Sequence, residues 1–500
     1  MFRSNALRIF LPRLSVCGSP YWEFSAIACG TPKPASGSPA DEPAVRKKAF
    51  AASIVHHGVE KYGFFPEFGY GDSLIVSPAT VCKGGFLMDV GMLKDWFARM
   101  YPVGAAKRGV TRLGYSDEED EMHALLRSFA EELGLIATED SFGNTFISFP
   151  GAKAGGRVLI GSHLDSVPEG GRYDGVAGVL AGLLTMAEFG AEKRSIPLET
   201  VAFRCEESSA FGLATVGSAL FVGMIDPETL HIAKNADGKS LYDAMKEKGY
   251  TPDNVSAPSD ILAYLELHIE QGRVLEAAGK KLGIVSAIAA PVRFRVFFEG
   301  RQDHSGATPM GMRKDSLCAA GEALLAVERC GEAESEFATV ATVGIIRNEP
   351  NALNVIPGCT SLGVDVRGID AESVRRAVDA IRKEVAEIGR RRGVRFRFEE
   401  ISSSMPVMMD PSIVHGLCSS AERLGADFMT MPSGAGHDAM KIAPYAPSGM
   451  VFIPCRDGVS HSPEEHAEID DVFLGARLLH EFLSTNWKEN DRCFSFPTAM

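Results

Sequence analysis

The sequence predicts an α/β fold interrupted by a smaller two-layer α/β unit, and three features carry that expectation. From residue 157 short apolar runs alternate with helical stretches, the pattern of strands covered by helices. From residue 290 the order becomes strand, helix, strand, strand, helix, strand, a self-contained β-α-β-β-α-β unit. Past residue 404 an apolar strand reappears and delivers a histidine into a loop, as the first strand of the alternating part does. The smaller unit therefore reads as an insertion: 46–289 and 404–490 are two parts of one domain, and 290–403 is the other.

The elements follow in order. Residues 1–45 stand outside both domains. "MFRSNALRIFLPRLSVCGSPYW" carries Arg3, Arg8 and Arg13 among Phe, Leu and Ile with no acid before Glu23, so it resembles a mitochondrial-type presequence. A secretory signal needs a longer apolar core than Pro12 and Arg13 leave. "CGTPKPASGSPADEPAV" then reads as a linker without fixed structure. An untargeted tail on a cytoplasmic enzyme fits the same residues. A segment near residues 62–92 has no place in this scheme.

Ser116 and Glu119 form an S-x-x-E capping pattern ahead of "EMHALLRSFAEELG", whose apolar residues keep helical spacing until Gly134. "GNTFISFPG" and "RVLI" read as strands and "VAGVLAGLLTMAEFG" as a buried helix. "ETVAFRCEE" and "AYLELHIEQG" are further strands. In the insertion, "VRFRVFFEG", "FATVATVGII", "TSLGVDVRG" and "VRFRFEEI" are strands, while "GMRKDSLCAAGEALLAVERC" and "AESVRRAVDAIRKEVAEIG" are helices. "RRRGVRFR" is a solvated helix end running into an edge strand. "GMVFIPC" returns the chain to the first domain. No G-x-G-x-x-G occurs, which leaves a dinucleotide site little support.

Bulk properties narrow the function. An apolar share of 45% without a long uncharged apolar run describes a soluble protein of two or more domains, with no membrane partner. With 65 acidic against 51 basic residues the net charge is −14, which disfavours nucleic acid and suits small-molecule chemistry. The ten cysteines form no C-x-x-C pair, so thiolate metal sites and a disulfide framework are not expected.

The chemistry gathers in a few motifs. In "GSHLDSVPEGGRYDGVAG" His163 emerges where a strand ends, the place where open α/β sheets bind ligands. Asp165 can steady its ring, and Asp174 follows a flexible turn that can bring it to the same point. Glu206 and Glu207 close the strand "VAFRCEE", and neighbouring strand residues face opposite ways, so one can bind metal while the other handles a proton. His268 shares a polar strand face with Glu266 and Glu270. His461 repeats the position of His163. Taken singly, each histidine also fits a structural hydrogen bonder.

Together "GSHLDSV…GGRYDGVAG", "EES", "ELHIEQG", "DHSGATPM", "NVIPG…DVR", "GAGHDA" and "GVSHSPEE" closely resemble one zinc amidohydrolase family. It comprises N-carbamoyl-L-amino-acid hydrolases, yeast-type β-ureidopropionase and allantoate amidohydrolase, a branch of the dizinc aminopeptidase-like superfamily. The resemblance implies a dimetal aminopeptidase-like catalytic domain and gives the insertion the role of a lid and dimerisation domain. It also implies that His163, Asp174 and His268 hold one divalent metal ion and Asp174, Glu207 and His461 a second, with Asp174 bridging. Zn²⁺ suits such a set, and Mn²⁺, Co²⁺ or Ni²⁺ fit it too. Glu206 would be the general base, with Asp165 fixing His163. His304 would polarise the scissile carbonyl, reaching across a homodimer interface in relatives. Asn354, Arg367 and His437 fall at substrate-binding positions, the guanidinium matching a carboxylate; an ion pair with Asp365 fits Arg367 as well.

The implied reaction is hydrolysis of the carbamoyl C–N bond of a small N-carbamoyl or ureido amino acid. One departure stands out: "EESSAFG" places Ala210 where relatives carry Arg, removing a charge that could shape the pocket. A dizinc aminoacylase or dipeptidase is the alternative within the superfamily, and a non-catalytic binding protein on the same fold is the alternative outside it.

Overall fold

The computed structural model describes residues 89–152, 155–192, 196–253, 258–488 and 493–494. The presequence-like stretch, the linker and most of the segment near residues 62–92 lie outside them.

At the centre is a nine-stranded mixed sheet. Four neighbouring strands run parallel: Leu198–Phe203, Arg157–His163, Ile261–Ile269 and Ser448–Ile453. Thr145–Ser148 and Ile136–Glu139 extend one side antiparallel. On the other side Leu282–Ile288 pairs antiparallel with Ser448–Ile453 and itself holds Phe428–Ser433 and Val407–Met408. Strands buried on both faces read as continuous apolar runs. Val158, Ile160, Leu265, Leu267, Val451 and Ile453 enter the core on one face. Their neighbours Leu159, Tyr264, Met450 and Phe452 enter a second core on the other.

The buried helix read from "VAGVLAGLLTMAEFG" spans Val176–Glu192 and lies with Ile469–Asn486 on the first face. Its backbone presses close to the sheet at Gly178, where a Cβ would stand 2.1 Å from the Leu267 carbonyl oxygen. The helix expected after Ser116 runs Asp117–Glu132, with the Ser116 hydroxyl accepting the Glu119 N–H at 3.2 Å. Only half of the capping box forms. The Glu119 carboxylate turns inward, accepting the Tyr115 N–H at 2.6 Å.

The chain between 290 and 403 forms a separate four-stranded antiparallel sheet of Arg395–Ser403, Ala290–Glu299, Cys359–Gly368 and Val340–Glu349, in that spatial order. Helices Ser316–Ala333 and Ala371–Arg392 pack on one face around their own core of Val296, Phe298, Ala323, Val366 and Ile381. A two-residue ribbon pairs Asp303–His304 with Val355–Ile356. Two expectations change. The first of these helices begins at Ser316, because Asp315 caps it by accepting the Cys318 N–H, and Met310–Met312 forms a separate turn. The strand of "VAFRCEE" ends at Phe203, so Glu206 and Glu207 lie in the following loop.

Candidate metal centre and active site

The four parallel strands of the main sheet all point their C-terminal ends to one side, and each delivers part of the site. His163 ends one strand, and His268 is the penultimate residue of its neighbour. Glu206 and Glu207 follow Phe203, and His461 follows Ile453. Asp174 precedes the helix Val176–Glu192. Gly175 makes the close passage possible: its φ is +66°, and a Cβ there would meet the His163 ring at 2.6 Å.

Asp174 faces both ways. Its Oδ1 lies 3.5 Å from His163 Nε2 and 3.0 Å from His268 Nε2. Its Oδ2 lies 3.3 Å from His461 Nε2, which is 3.0 Å from Glu207 Oε1. These are two three-residue clusters of metal-ligand type sharing one carboxylate. Two observations fit divalent cations. Asp174 Oδ1 is buried and, among the described residues, makes no well-formed hydrogen bond, only the two histidine approaches just given. His163 and His268 turn Nδ1 toward backbone carbonyls, those of Asp165 at 3.2 Å and Ile269 at 2.9 Å, which leaves each Nε2 free for coordination.

The electrostatics agree. Burial opposes charge on His163, yet Asp165, Asp174 and Glu206 outweigh it and raise its pKa well above the usual value. Burial likewise opposes charge on His268, and Asp174 prevails. Asp174 and Glu207 raise His461 to about 10. The cluster thus calls for positive charge, which protons or a metal can supply. Glu206 Oε2 stands 4.0 Å from His163 Nε2, and burial pushes its pKa well above the carboxylate range despite that neighbour.

Asp165 does more than steady His163. Its Oδ1 is 3.3 Å from His163 Nδ1, and its two oxygens accept the N–H groups of Glu206 and Glu207, each at 3.0 Å. That loop, rather than strand alternation, separates the two glutamates. The polar strand face expected around His268 is instead fully buried. Glu266 accepts from Ser162 and from the Ala439 N–H, while Glu270 accepts the N–H groups of Val274 and Leu275. Glu266, His268 and His437 also approach one another, but His437 Nε2 is bonded to Ser433 Oγ at 2.9 Å. Burial, then the charge on His268, keeps His437 neutral. Its ring stands edge-on to His268, 4.4 Å between centroids.

The remaining expected residues lie on the inserted sheet. His304 and Asn354 come together, the Ser305 N–H donating to the Asn354 carbonyl beside the two-residue ribbon. His304 is exposed, and its side chain bonds within its own loop, Nδ1 accepting from Gly306 and Ala307. Among the described residues no polar contact joins it to the metal cluster. Arg367 is held by Asp365, which also takes Arg293, and its Nη1 donates to the Gly434 carbonyl at 3.2 Å. In this arrangement its fork is occupied by the ion pair. Ala210 packs in an apolar cluster with Tyr115, Cys205 and Phe211.

Two residues escaped the sequence reading. Gln271 donates through Nε2 to Asp174 Oδ2 at 2.9 Å. Glu465 accepts the N–H groups of Tyr173 and Asp174 and the Ser460 hydroxyl, tying the His461 loop to the bridging residue. Both stand inside motifs already singled out, Gln271 in "ELHIEQG" and Glu465 in "GVSHSPEE".

The sequence pattern of peptidase family M20/M25/M40 matches residues 159–485. The chain belongs to that family. Among its relatives, the N-carbamoyl-L-amino acid amidohydrolase of Geobacillus stearothermophilus is 39% identical over 380 residues, 74% of this chain and 92% of that one. The allantoate amidohydrolase of Escherichia coli (strain K12) is 34% identical over 382 residues, 74% and 91% of the two chains. A solved amidase of the hydantoinase/carbamoylase family from Burkholderia multivorans superposes with a TM-score of 0.74 at 36% identity, covering 79% of this chain and 97% of that one. The M20 family is metal-dependent, in keeping with the clusters around Asp174.

Proposed function

We propose that this M20-family protein hydrolyses the carbamoyl C–N bond of N-carbamoyl-L-amino acids or related ureido acids, releasing amino acid, CO₂ and ammonia. The observation that carries the reading is the shared carboxylate of Asp174, one oxygen toward each cluster, with a buried Glu206 beside it. The names of the relatives favour this bond over the N-acyl or peptide bonds of an aminoacylase or dipeptidase.

Divalent ions, Zn²⁺ by the nitrogen and carboxylate donor set, would be held by His163, Asp174 and His268 and by Asp174, Glu207 and His461, and would polarise the scissile carbonyl and acidify a water. Glu206 takes a proton from the attacking water and passes it to the leaving nitrogen, a task suited to its place 4.0 Å from His163 Nε2. The amine leaves as the amino acid, and the carbamate left behind falls to CO₂ and ammonia. His304 supplies the oxyanion donor. Two backbone amides donate to its Nδ1, which leaves Nε2 as the nitrogen that can donate.

His304 belongs to the partner subunit's site in this reading, and the inserted domain is the dimerisation surface. Its edge strand Val340–Glu349 exposes Val340, Ile345 and Ile346, and the adjoining helix exposes Leu317 and Leu325. An apolar strand edge of this kind calls for a covering partner. Asn354 and Arg367 orient the substrate, its carboxylate taking part of the guanidinium now given to Asp365. The Arg-bearing N-terminus supports import into the mitochondrion, which the mass of the mature N-terminus in fractionated cells would test.

The deciding experiment is ammonia release from N-carbamoyl-L-amino acids, β-ureidopropionate and allantoate, with Glu206→Gln alongside. Release from at least one substrate, lowered about 100-fold or more in the variant, is the expected outcome. Silence from metal-loaded protein across the panel would reject the reading.

A further inference from the structure

The loop bearing Glu206 and Glu207 begins with an unfavourable turn: Cys205 has φ +52°, in the left-handed region that residues with a Cβ avoid. The backbone bonds of this turn hold it there. Arg204 N–H donates to Asn144 Oδ1 at 3.0 Å, and Cys205 N–H to Glu119 Oε1 at 2.8 Å. The carbonyls of Arg204, Cys205 and Glu206 accept from Gly217, Val216 and Thr215 at 2.8, 3.0 and 2.7 Å. Glu119 is the distant member of this set. It is fully buried, and its Oε2 accepts from the Tyr115 N–H and from Arg204 Nη1 at 3.0 Å.

We infer that Glu119 is a positioning residue for catalysis: its carboxylate grips the Cys205 N–H and so fixes the left-handed turn that sends Glu206 toward His163 and Glu207 toward His461. The inference rests on the roles proposed above for those two glutamates. Asp120 supplies the comparison. It shares the same guanidinium, accepting from Arg204 Nη1 at 2.7 Å, but makes no bond to the loop. Asp120 is also partly exposed and pairs with Lys248 Nζ, so its variant reports what loss of an Arg204 partner costs the fold without touching the Cys205 turn.

The test compares Glu119→Gln with Asp120→Asn in full-length protein, reading kcat, KM, thermal midpoint and the visible absorption of the cobalt(II)-loaded form. Glu119→Gln is expected to lower kcat about 10- to 100-fold with KM little changed, and to alter the cobalt spectrum. Asp120→Asn is expected to lower the thermal midpoint while keeping kcat and spectrum. An unchanged kcat and spectrum in Glu119→Gln, or equal loss in both variants, would overturn the proposal. Should Glu119→Gln not fold, Glu119→Asp, which keeps the charge and shortens the reach, enters the same comparison. A wild type silent on every substrate would reject the function, and the cobalt spectrum would still decide on Glu119.

Discussion

At the residue scale the site is a set of histidines held by acids that also want a metal. Because Asp174 and Glu207 raise His461 to about 10, and His163 and His268 are also raised, the metal-free protein carries protons on this cluster at neutral pH. The sign follows from linkage: the pairings stabilise the metal-free fold fully below the unfolded histidine pKa of about 6.5 and are lost as pH climbs toward 10. Metal must displace those protons, so its affinity should increase from pH 6 to pH 8. Calorimetric titration with Zn²⁺ in buffers of different ionisation enthalpy should register proton release; heats independent of buffer would contradict this. The residues of the two clusters stood out in the sequence because histidine and carboxylate advertise metal chemistry. Gln271 offers neither charge nor a titrating proton, and Glu465 stands beside Glu464 with nothing in the sequence to set it apart, so their grip on the Asp174 loop required coordinates.

At the element scale four parallel strands bring the site together, and their runs were readable because both faces are buried. The short helices Val216–Phe221, Pro227–Ile232 and Leu241–Glu247 were not readable. Helices of this length are held by tertiary packing, here around Leu220, Leu230 and Leu241, rather than by their own periodicity. The strand Leu282–Ile288 was missed as well; it follows a five-residue helix that ends at Gly279 and precedes a recognised strand. Gly178→Ala tests the close contact of helix and sheet. Its methyl group would press on the Leu267 carbonyl, and a loss of ~1–3 kcal/mol is expected from chemical denaturation. An unchanged midpoint would mean that the helix can lift freely.

At the scale of the whole molecule the insertion was legible from element order alone, whereas the dimer proposed for it comes only from family resemblance. If His304 serves the neighbouring subunit, Glu206→Gln and His304→Ala should rescue each other. Random mixing makes half the dimers hybrid, each with one intact site, so activity should return to about a quarter of wild type. Mixtures as inactive as their parents would place His304 in its own subunit's site. The position of Ser448–Ile453 has a different consequence. It fills the slot between Ile261–Ile269 and Leu282–Ile288, so the middle of the main sheet waits for one of the last strands to be synthesised. A nascent chain emerging from the ribosome can complete the inserted domain first while carrying two open strand edges and no His461. The cluster of Asp174, Glu207 and His461 is therefore complete only when nearly the whole chain has been made, and until then the sheet has an empty central slot.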